Sequence, residues 1–381
     1  MKNPPIAVTF LLDHLVAGGA ERHAILLANL LDRERFRVSM IYLKPDETLR
    51  PLIDETRLEE LWCANVRLRL DLGAARRIAD HLDRQQAQVV VGANLYPTLF
   101  GVLARHRAKC SPAVVATYHT TLITHWKDRL QMSLYRRVLP RCEALIYVCE
   151  AQRAHWQAQG LHGQSDHVIY NGVDTDYFSP EAGGVQGEEI RRRLGVNADT
   201  LVVGLCAALR PEKAHADLLS GCAAARAAGA EVHALIIGDG PQRAAIEAQI
   251  AALGLQAHAT ISGFQSDVRP WIAACNVMTL TSHSETFSLA ALECMAMGKP
   301  MVMTRVGGAA EQVIDGQTGY LFASGAVDEL ADCLLKLRDG ALRVKLGRRA
   351  REVVSAQFAL GTMVSRYESV LEACARRAVR G

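Results

Sequence analysis

Apolar and polar positions along this chain follow two rhythms that take turns. Short runs of β-forming residues ("IAVTFLLD" at 6–13, "FRVSMIYL" at 36–43, "AQVVVGA" at 87–93, "AVVATYH" at 113–119, "ALIYVC" at 144–149) punctuate the first half. Between them lie stretches with apolar residues at helical spacing, such as "GGAERHAILLANLLD" at 18–32, "ARRIADHLDRQQ" at 75–86, 125–141 and 151–159. This alternation predicts βαβ units and a parallel sheet. "HVIYNGVD" (167–174) closes the half, and the turn- and charge-rich "DTDYFSPEAGGVQGEE" (174–189) reads as an interdomain linker. The pattern then starts afresh with "TLVVGLCAAL", "HADLLSGCAAARAAG", "VHALIIGDG", "PQRAAIEAQIAALG", "ATISGFQ", "VRPWIAAC" and "VMTLTS". No sequence period marks a repeat; the architecture is what recurs. A charged amphipathic helix, "ALGTMVSRYESVLEACARR" (359–377), follows near the end. Two doubly wound domains with a linker between them imply a deep cleft that collects strand ends from both.

Length and composition fit that picture. The chain has 381 residues, half of them hydrophobic and 22% charged, a globular balance with room for two cores. A net charge of +3 is too small to suggest a nucleic-acid partner. Ten scattered cysteines form no C-x-x-C pair and no cluster with histidine at metal spacing, so a reducing, cytoplasmic setting and no metal are expected. Asp13 and His14 interrupt the apolar start with no small-residue cleavage site after it, which reads as a first strand rather than a signal peptide.

The candidate chemistry lies at strand ends. In "SHSETFSLAALECMAMGKP" (282–300), Ser288 can cap a helix that Gly298 ends before Pro300, after a strand in "NVMTLTS" (276–282). Glu285 then falls in a loop beyond a strand's carboxyl end and Glu293 on the helix. Eight helical positions amount to about 80° beyond two turns, so both can face one side. They can also simply cap and solubilise the helix start. Gly18 and Gly19 precede a helix and offer an anion site without the G-x-G-x-x-G fingerprint. Arg210 and Lys213 in "LRPEKAH" follow a strand, "IGDGP" (237–241) and "RVGGAAEQ" (305–312) are further glycine turns, and His119 ends a strand. Anion-binding turns and cations suit a diphosphate, and carboxylates suit vicinal hydroxyls. Together they outline a nucleotide sugar.

On these residues the chain resembles the retaining glycosyltransferases of family 4 over nearly its whole length. The marks are Glu285, seven residues, Glu293, then "GKPMVMTRVGGAAEQVIDGQTGYLF", with "VIYNGVDTDYF", "GDGP" and "FALGTMVSRYESVL". The resemblance implies a GT-B fold, two doubly wound Rossmann-like domains facing across a deep cleft: an acceptor-side domain over 1–176, a linker over 177–190, a donor-side domain over 191–362, and a helix over 363–381 that crosses back. It implies that Glu293 accepts bonds from the nucleotide ribose and that Glu285 lies by the donor sugar. Backbone N–H groups near Phe287, Ser288 and Leu289 would help to hold sugar and phosphate. Gly18 and Gly19 would lie near the diphosphate, His119 would reach the sugar, Arg210 and Lys213 would stabilise the leaving diphosphate, and Gly238 and Gly263 would lie on the donor side, with the base held by backbone around "SGFQSDV" (262–268). It further implies a metal-independent, hexosyltransferase-type transfer from a UDP- or GDP-linked sugar to a hydroxyl on a saccharide or lipid-linked glycan, in glycan, polysaccharide or glycolipid synthesis. A sugar-nucleotide epimerase and a non-catalytic sugar-nucleotide-binding relative remain as alternatives.

One position departs from the pattern. Ala208 stands where the family carries an arginine, and Arg210 appears two residues later. If 208–210 is extended, both residues point to one side and Arg210 can replace the missing cation. The segment 125–141 interleaves Trp126, Leu130, Leu134 and Val138 with Arg129, Arg136, Arg137 and Arg141. It is expected either to pack on the core or to touch the inner face of a membrane peripherally.

Overall fold

The computed structural model describes residues 4–16, 18–119 and 126–378, leaving aside the side chains of 126–131 and 378. The strands β1 (Ile6–Leu12), β2 (Phe36–Tyr42), β3 (Leu58–Cys63), β4 (Val89–Ala93), β5 (Ala113–Tyr118), β6 (Ala144–Tyr147) and β7 (Asp166–Val168) form one sheet in the order β3-β2-β1-β4-β5-β6-β7. The strands β8 (Leu201–Cys206), β9 (Val232–Ile237), β10 (Ala259–Ile261), β11 (Val277–Leu280), β12 (Met301–Thr304) and β13 (Gly319–Phe322) form a second, ordered β10-β9-β8-β11-β12-β13. All neighbouring strands are parallel. A parallel sheet is covered by helices on both faces, which is why its central strands read as unbroken apolar runs. β4, β5, β6, β9, β11 and β12 are buried at every position.

Each sheet reverses direction once, between β1 and β4 in the first and between β8 and β11 in the second. At such a switch point the loops beyond the carboxyl ends of the two strands diverge and leave a crevice. Asp13 follows β1, the 207–213 loop follows β8 and the 281–288 loop follows β11.

The chain divides into two compact units, Met1–Tyr170 with Met363–Gly381, and Asn171–Thr362. The stretch 177–190, expected as a linker, lies within the second, and a helix runs over Gly184–Arg193. Its glycines serve close packing: a Cβ on Gly183 would lie 2.7 Å from Pro270 N, and one on Gly187 2.9 Å from the Ala273 Cβ. They let this helix seat against the helix Arg269–Ala274.

In the first unit a helix spans Trp126–Val138. Met132, Tyr135 and Val138 are buried in the core while Leu134 is exposed. Trp126, Arg129 and Leu130, on which the expectation of membrane contact leaned, lie outside the residues whose side chains are described. Among the described residues no helix is long and apolar enough to cross a membrane.

Candidate functional site

The segment that follows β11 folds as its sequence suggests. Ser288 caps a helix over Leu289–Ala296 through Oγ, which accepts from the Ala291 N–H at 3.3 Å, and Gly298 leaves it with φ +71°. Glu285 sits in the loop before the cap. Its Oε2 meets the Lys213 Nζ at 2.5 Å, with both side chains about four-fifths buried. Lys213 comes from a 3-10 turn, Pro211–Lys213, in the loop after β8. The pair therefore joins the two loops that flank the switch point of the second sheet.

Three bonds hold those loops together. Thr281 Oγ1 donates to the carbonyls of Lys213 at 3.1 Å and Ala214 at 2.8 Å, and the His283 N–H donates to the Glu212 carbonyl at 2.9 Å. The 3-10 turn is joined to the following helix, His215–Ala227, by Ala214 in the left-handed region, φ 46° and ψ 48°. Gly307, with φ +51°, lies so close to the Glu285 carbonyl that a Cβ would overlap it, and the Gly308 N–H donates to the Thr286 carbonyl at 2.8 Å. The glycines of "RVGGAAEQ", read from the sequence as a turn fit for an anion, thus fix the backbone that carries Glu285.

Glu293 is half-buried on the capped helix, and its charge acts on the Cys206 thiol at the end of β8. Desolvation lifts its carboxyl to about 7. Among the described residues no hydrogen-bond donor or cation meets it. A carboxylate so placed is under-satisfied, and a ligand that offers hydroxyl donors would satisfy it.

The neighbouring backbone is more committed than the sequence implies. The Ser288 N–H donates to Gln312 Oε1 at 3.2 Å, while Gln312 Nε2 donates back to the Ser288 carbonyl at 2.8 Å. Phe287 is buried with its ring against Phe358 at 5.5 Å, and its carbonyl accepts from Asn171 Nδ2 at 3.2 Å. The Ser288 N–H is therefore not free for a ligand in this arrangement. Leu289, first in the helix, has no acceptor for its N–H among the described residues and keeps a partly exposed side chain. Asn171, Thr281 and Gln312 were not picked out from the sequence as site residues. Each acts across a long gap in the chain, and no local periodicity marks them.

The departure at 208 resolves in part. Arg210 is extended, φ −117° and ψ 154°, but the Arg210 N–H bonds to the Ala208 carbonyl at 2.8 Å, so the chain turns tightly at Leu209 instead of running straight. Ala208 and Arg210 are nevertheless both exposed with Leu209 buried between them. Among the described residues no carboxylate pairs with Arg210. Gly238 and Gly240 let the chain pass Ala207 and Leu209: a Cβ on Gly238 would overlap the Ala207 carbonyl, and one on Gly240 would lie 2.8 Å from Leu209 N. Gly263, φ +73°, bridges to Gly238, and next to it Phe264 is 80% exposed.

In the first unit, Gly18 and Gly19 open the helix Gly19–Leu30. A Cβ on Gly18 would overlap the Glu21 carboxylate, whereas Gly19 faces open space. The chain's own Glu21 thus sits at this helix start, its carboxyl raised by burial. His119 packs against His23 with ring centroids 4.7 Å apart, and its N–H donates to Asn94 Oδ1 at 3.3 Å. Burial pushes the imidazole well below its usual range, with the His23 charge a smaller influence, so His119 is neutral. Its buried Nε2 has no partner among the described residues.

Comparison with known proteins gives a consistent picture. The family model for glycosyl transferases group 1 matches residues 186–353, and that for glycosyltransferase family 4 matches 17–177. N-acetyl-alpha-D-glucosaminyl L-malate synthase of Bacillus anthracis is 26% identical over 304 residues, 79% of this chain and 78% of that protein. The 2-deoxystreptamine glucosyltransferase of Streptomyces kanamyceticus is 28% identical over 304 residues, 76% of each. Among solved structures, Anabaena HepE in complex with UDP superposes with a TM-score of 0.84 at 23% identity, over 97% of this chain and 100% of that one. The fold these structures share is the GT-B fold expected from the sequence.

Proposed function

The chain belongs to the group 1, family 4 glycosyltransferases, and from that premise we propose that it moves a hexosyl group from a nucleoside diphosphate sugar to an acceptor hydroxyl with retention of anomeric configuration. The observation that carries this reading is the Lys213–Glu285 pair at the switch point of the second sheet. An ammonium held by a carboxylate can turn to a phosphate when one arrives, which frees the carboxylate for sugar hydroxyls. In this reading Lys213 and Arg210 stabilise the departing diphosphate, and Glu285 orients the sugar. Glu293 takes the ribose hydroxyls, Phe264 offers a face to the base, and His119 Nε2 is available to a sugar hydroxyl. The acceptor attacks on the face the diphosphate leaves, through an oxocarbenium-like state, and the leaving phosphate takes the acceptor's proton. Protein cations supply the positive charge, without a metal.

Structures of HepE hold UDP, UDP with glucose, and UDP-glucose, so UDP-glucose is the first donor to test, with GDP-sugars next. The acceptor belongs to saccharides or lipid-linked glycans at the cytoplasmic side of a membrane. A thermal-shift series with nucleotides and nucleotide sugars tests the donor. A ligand at 100 times its dissociation constant adds about 2.7 kcal/mol to stability, and Lys213→Ala should lose most of the shift given by a diphosphate. Absence of any shift with uridine or guanosine diphosphates and their sugars would sink the reading. Once a product is in hand, the coupling constant of its anomeric proton decides retention.

A further inference from the structure

The first unit carries a cavity of about 390 Å³, lined in part by Asp13, Lys44, Arg67, Arg69, Tyr96 and Tyr135. Its volume falls in the range of small-molecule sites. Asp13, Lys44, Arg67 and Tyr96 come from the segments beyond the carboxyl ends of β1, β2, β3 and β4, and Tyr135 from the helix Trp126–Val138. The cavity therefore lies where an α/β sheet collects its ligands.

Its charge is one-sided. Lys44 Nζ is held by Asp13 at 2.9 Å and stands 5.3 Å from the centre of the Tyr96 ring. Asp13 is thereby paired, and its buried Oδ1 makes no hydrogen bond among the described residues. Among the described residues no carboxylate lies within ion-pair distance of Arg67 or Arg69. Burial keeps both phenols protonated, that of Tyr135 pushed up to about 12, while the Arg69 charge pulls the other way on each. Two arginines with no carboxylate partner and two tyrosines line a space whose single lining carboxylate, Asp13, is paired with Lys44 and still acts on both phenols. Guanidiniums recognise planar or tetrahedral oxyanions through paired N–H bonds. A neutral sugar alone would leave both of these cations unmatched.

We propose that this cavity binds the acceptor and that the acceptor carries an oxyanion, a phosphate or carboxylate group, held by Arg67 and Arg69 with Tyr96 and Tyr135 as hydroxyl donors. The assignment to the acceptor rests on the glycosyltransferase reading above; the oxyanion site itself does not. Leu68, Leu70 and Leu72, alternating with Arg69 and Asp71, are 70%, 56% and 56% exposed. The oxyanion can therefore belong to a lipid headgroup or to a free small molecule, and the chemistry at the arginines is the same.

The test titrates the full chain with inorganic phosphate and, separately, with UDP by calorimetry, in wild type, R67A/R69A and K213A. Both arginines are exposed, so the double variant should keep the wild-type unfolding temperature. R67A/R69A is expected to weaken phosphate binding at least tenfold and leave UDP binding unchanged, while K213A weakens UDP. Phosphate affinity in R67A/R69A within twofold of wild type, or no phosphate binding by wild type, overturns the proposal whatever UDP does. Failure of UDP to bind wild type counts against a uridine-linked donor alone. Co-sedimentation with phosphatidylcholine vesicles, with and without 20% phosphatidic acid, then separates the sources. Sedimentation that needs both the acidic lipid and the arginines assigns a lipid-borne oxyanion, and arginine-dependent phosphate binding without sedimentation assigns a soluble one.

Discussion

Glu293 is ionised in water at neutral pH but sits where burial lifts its carboxyl to about 7 and no donor among the described residues compensates. Its folded pKa lies above the ordinary value of 4.5. The stability it contributes is therefore fully present below the unfolded value and is lost as pH rises through about 7. Glu293→Gln keeps the shape and removes the charge. Since one pKa unit corresponds to about 1.4 kcal/mol, the variant should be more stable than wild type at pH 8 by at most roughly 3 kcal/mol, and no more stable at pH 4. Urea denaturation at the two values measures this. Nucleotide binding should run the opposite way. Ribose hydroxyls donate to the ionised form and draw its pKa down, so UDP affinity should fall from pH 8 to pH 6 more steeply in wild type than in Glu293→Gln. A variant that is stabilised at pH 8 yet binds UDP like wild type would leave Glu293 a buried charge with no part in the ribose site.

At the level of elements, the loops after β8 and β12 hold two left-handed residues under opposite demands. Gly307, φ +51°, abuts the Glu285 carbonyl, whereas Ala214, φ 46°, is an alanine in the same conformation. An L-residue there costs about 1–2 kcal/mol. Ala214→Gly should recover up to about 1 kcal/mol after the added freedom of the unfolded chain is subtracted. Gly307→Ala should lose at least as much and displace Glu285, so that turnover falls further than nucleotide binding does. Denaturation midpoints and a kcat-against-Kd comparison check the pair of signs. Local features such as the Ser288 cap and Gly298 exit were legible because capping is decided within four residues. The central strands were legible because both their faces are buried. β3 was not: "LEELWC" is an edge strand with only partial burial, and its acidic pair breaks the apolar run. Gln312 and Asn171 were not legible either. They bond to Ser288 and Phe287 across 24 and 116 residues, and a single sequence carries no signal for such meetings. The stretch 177–190 misled because glycine marks close helix packing as readily as it marks a flexible joint.

At the scale of the molecule, the chain leaves its first unit at Tyr170 and returns to it from Met363. The returning part of the helix Leu360–Ala378 buries Met363, Val364, Tyr367, Val370, Leu371, Cys374 and Ala375. Tyr367 OH lies 3.1 Å from His23 Nε2, the Asp32 N–H donates to Glu368 Oε1 at 3.0 Å, and Arg35 bonds both Glu368 and Glu372. Burial pulls the His23 imidazole down to about 4, so this bond joins two neutral groups. The five larger apolar side chains, at roughly 1.5–3 kcal/mol each, amount to some 7–15 kcal/mol, as much as a whole domain's net stability. A chain ending at Thr362 should therefore fold its second unit and not its first. Hydrogen exchange measures this directly: amides of β1, β4 and β5 should exchange as if unfolded, while those of β8, β9 and β11 stay protected. Tyr367→Phe gives the graded version, since it removes only the hydroxyl and leaves a buried imidazole nitrogen unmet, at a cost of about 1–3 kcal/mol. Arg35→Ala, which removes a half-exposed cation, should cost less than either. If the shortened chain kept full protection in β1, β4 and β5, the helix would be an accessory to the first unit, and the Tyr367 and Arg35 substitutions should then both be close to silent.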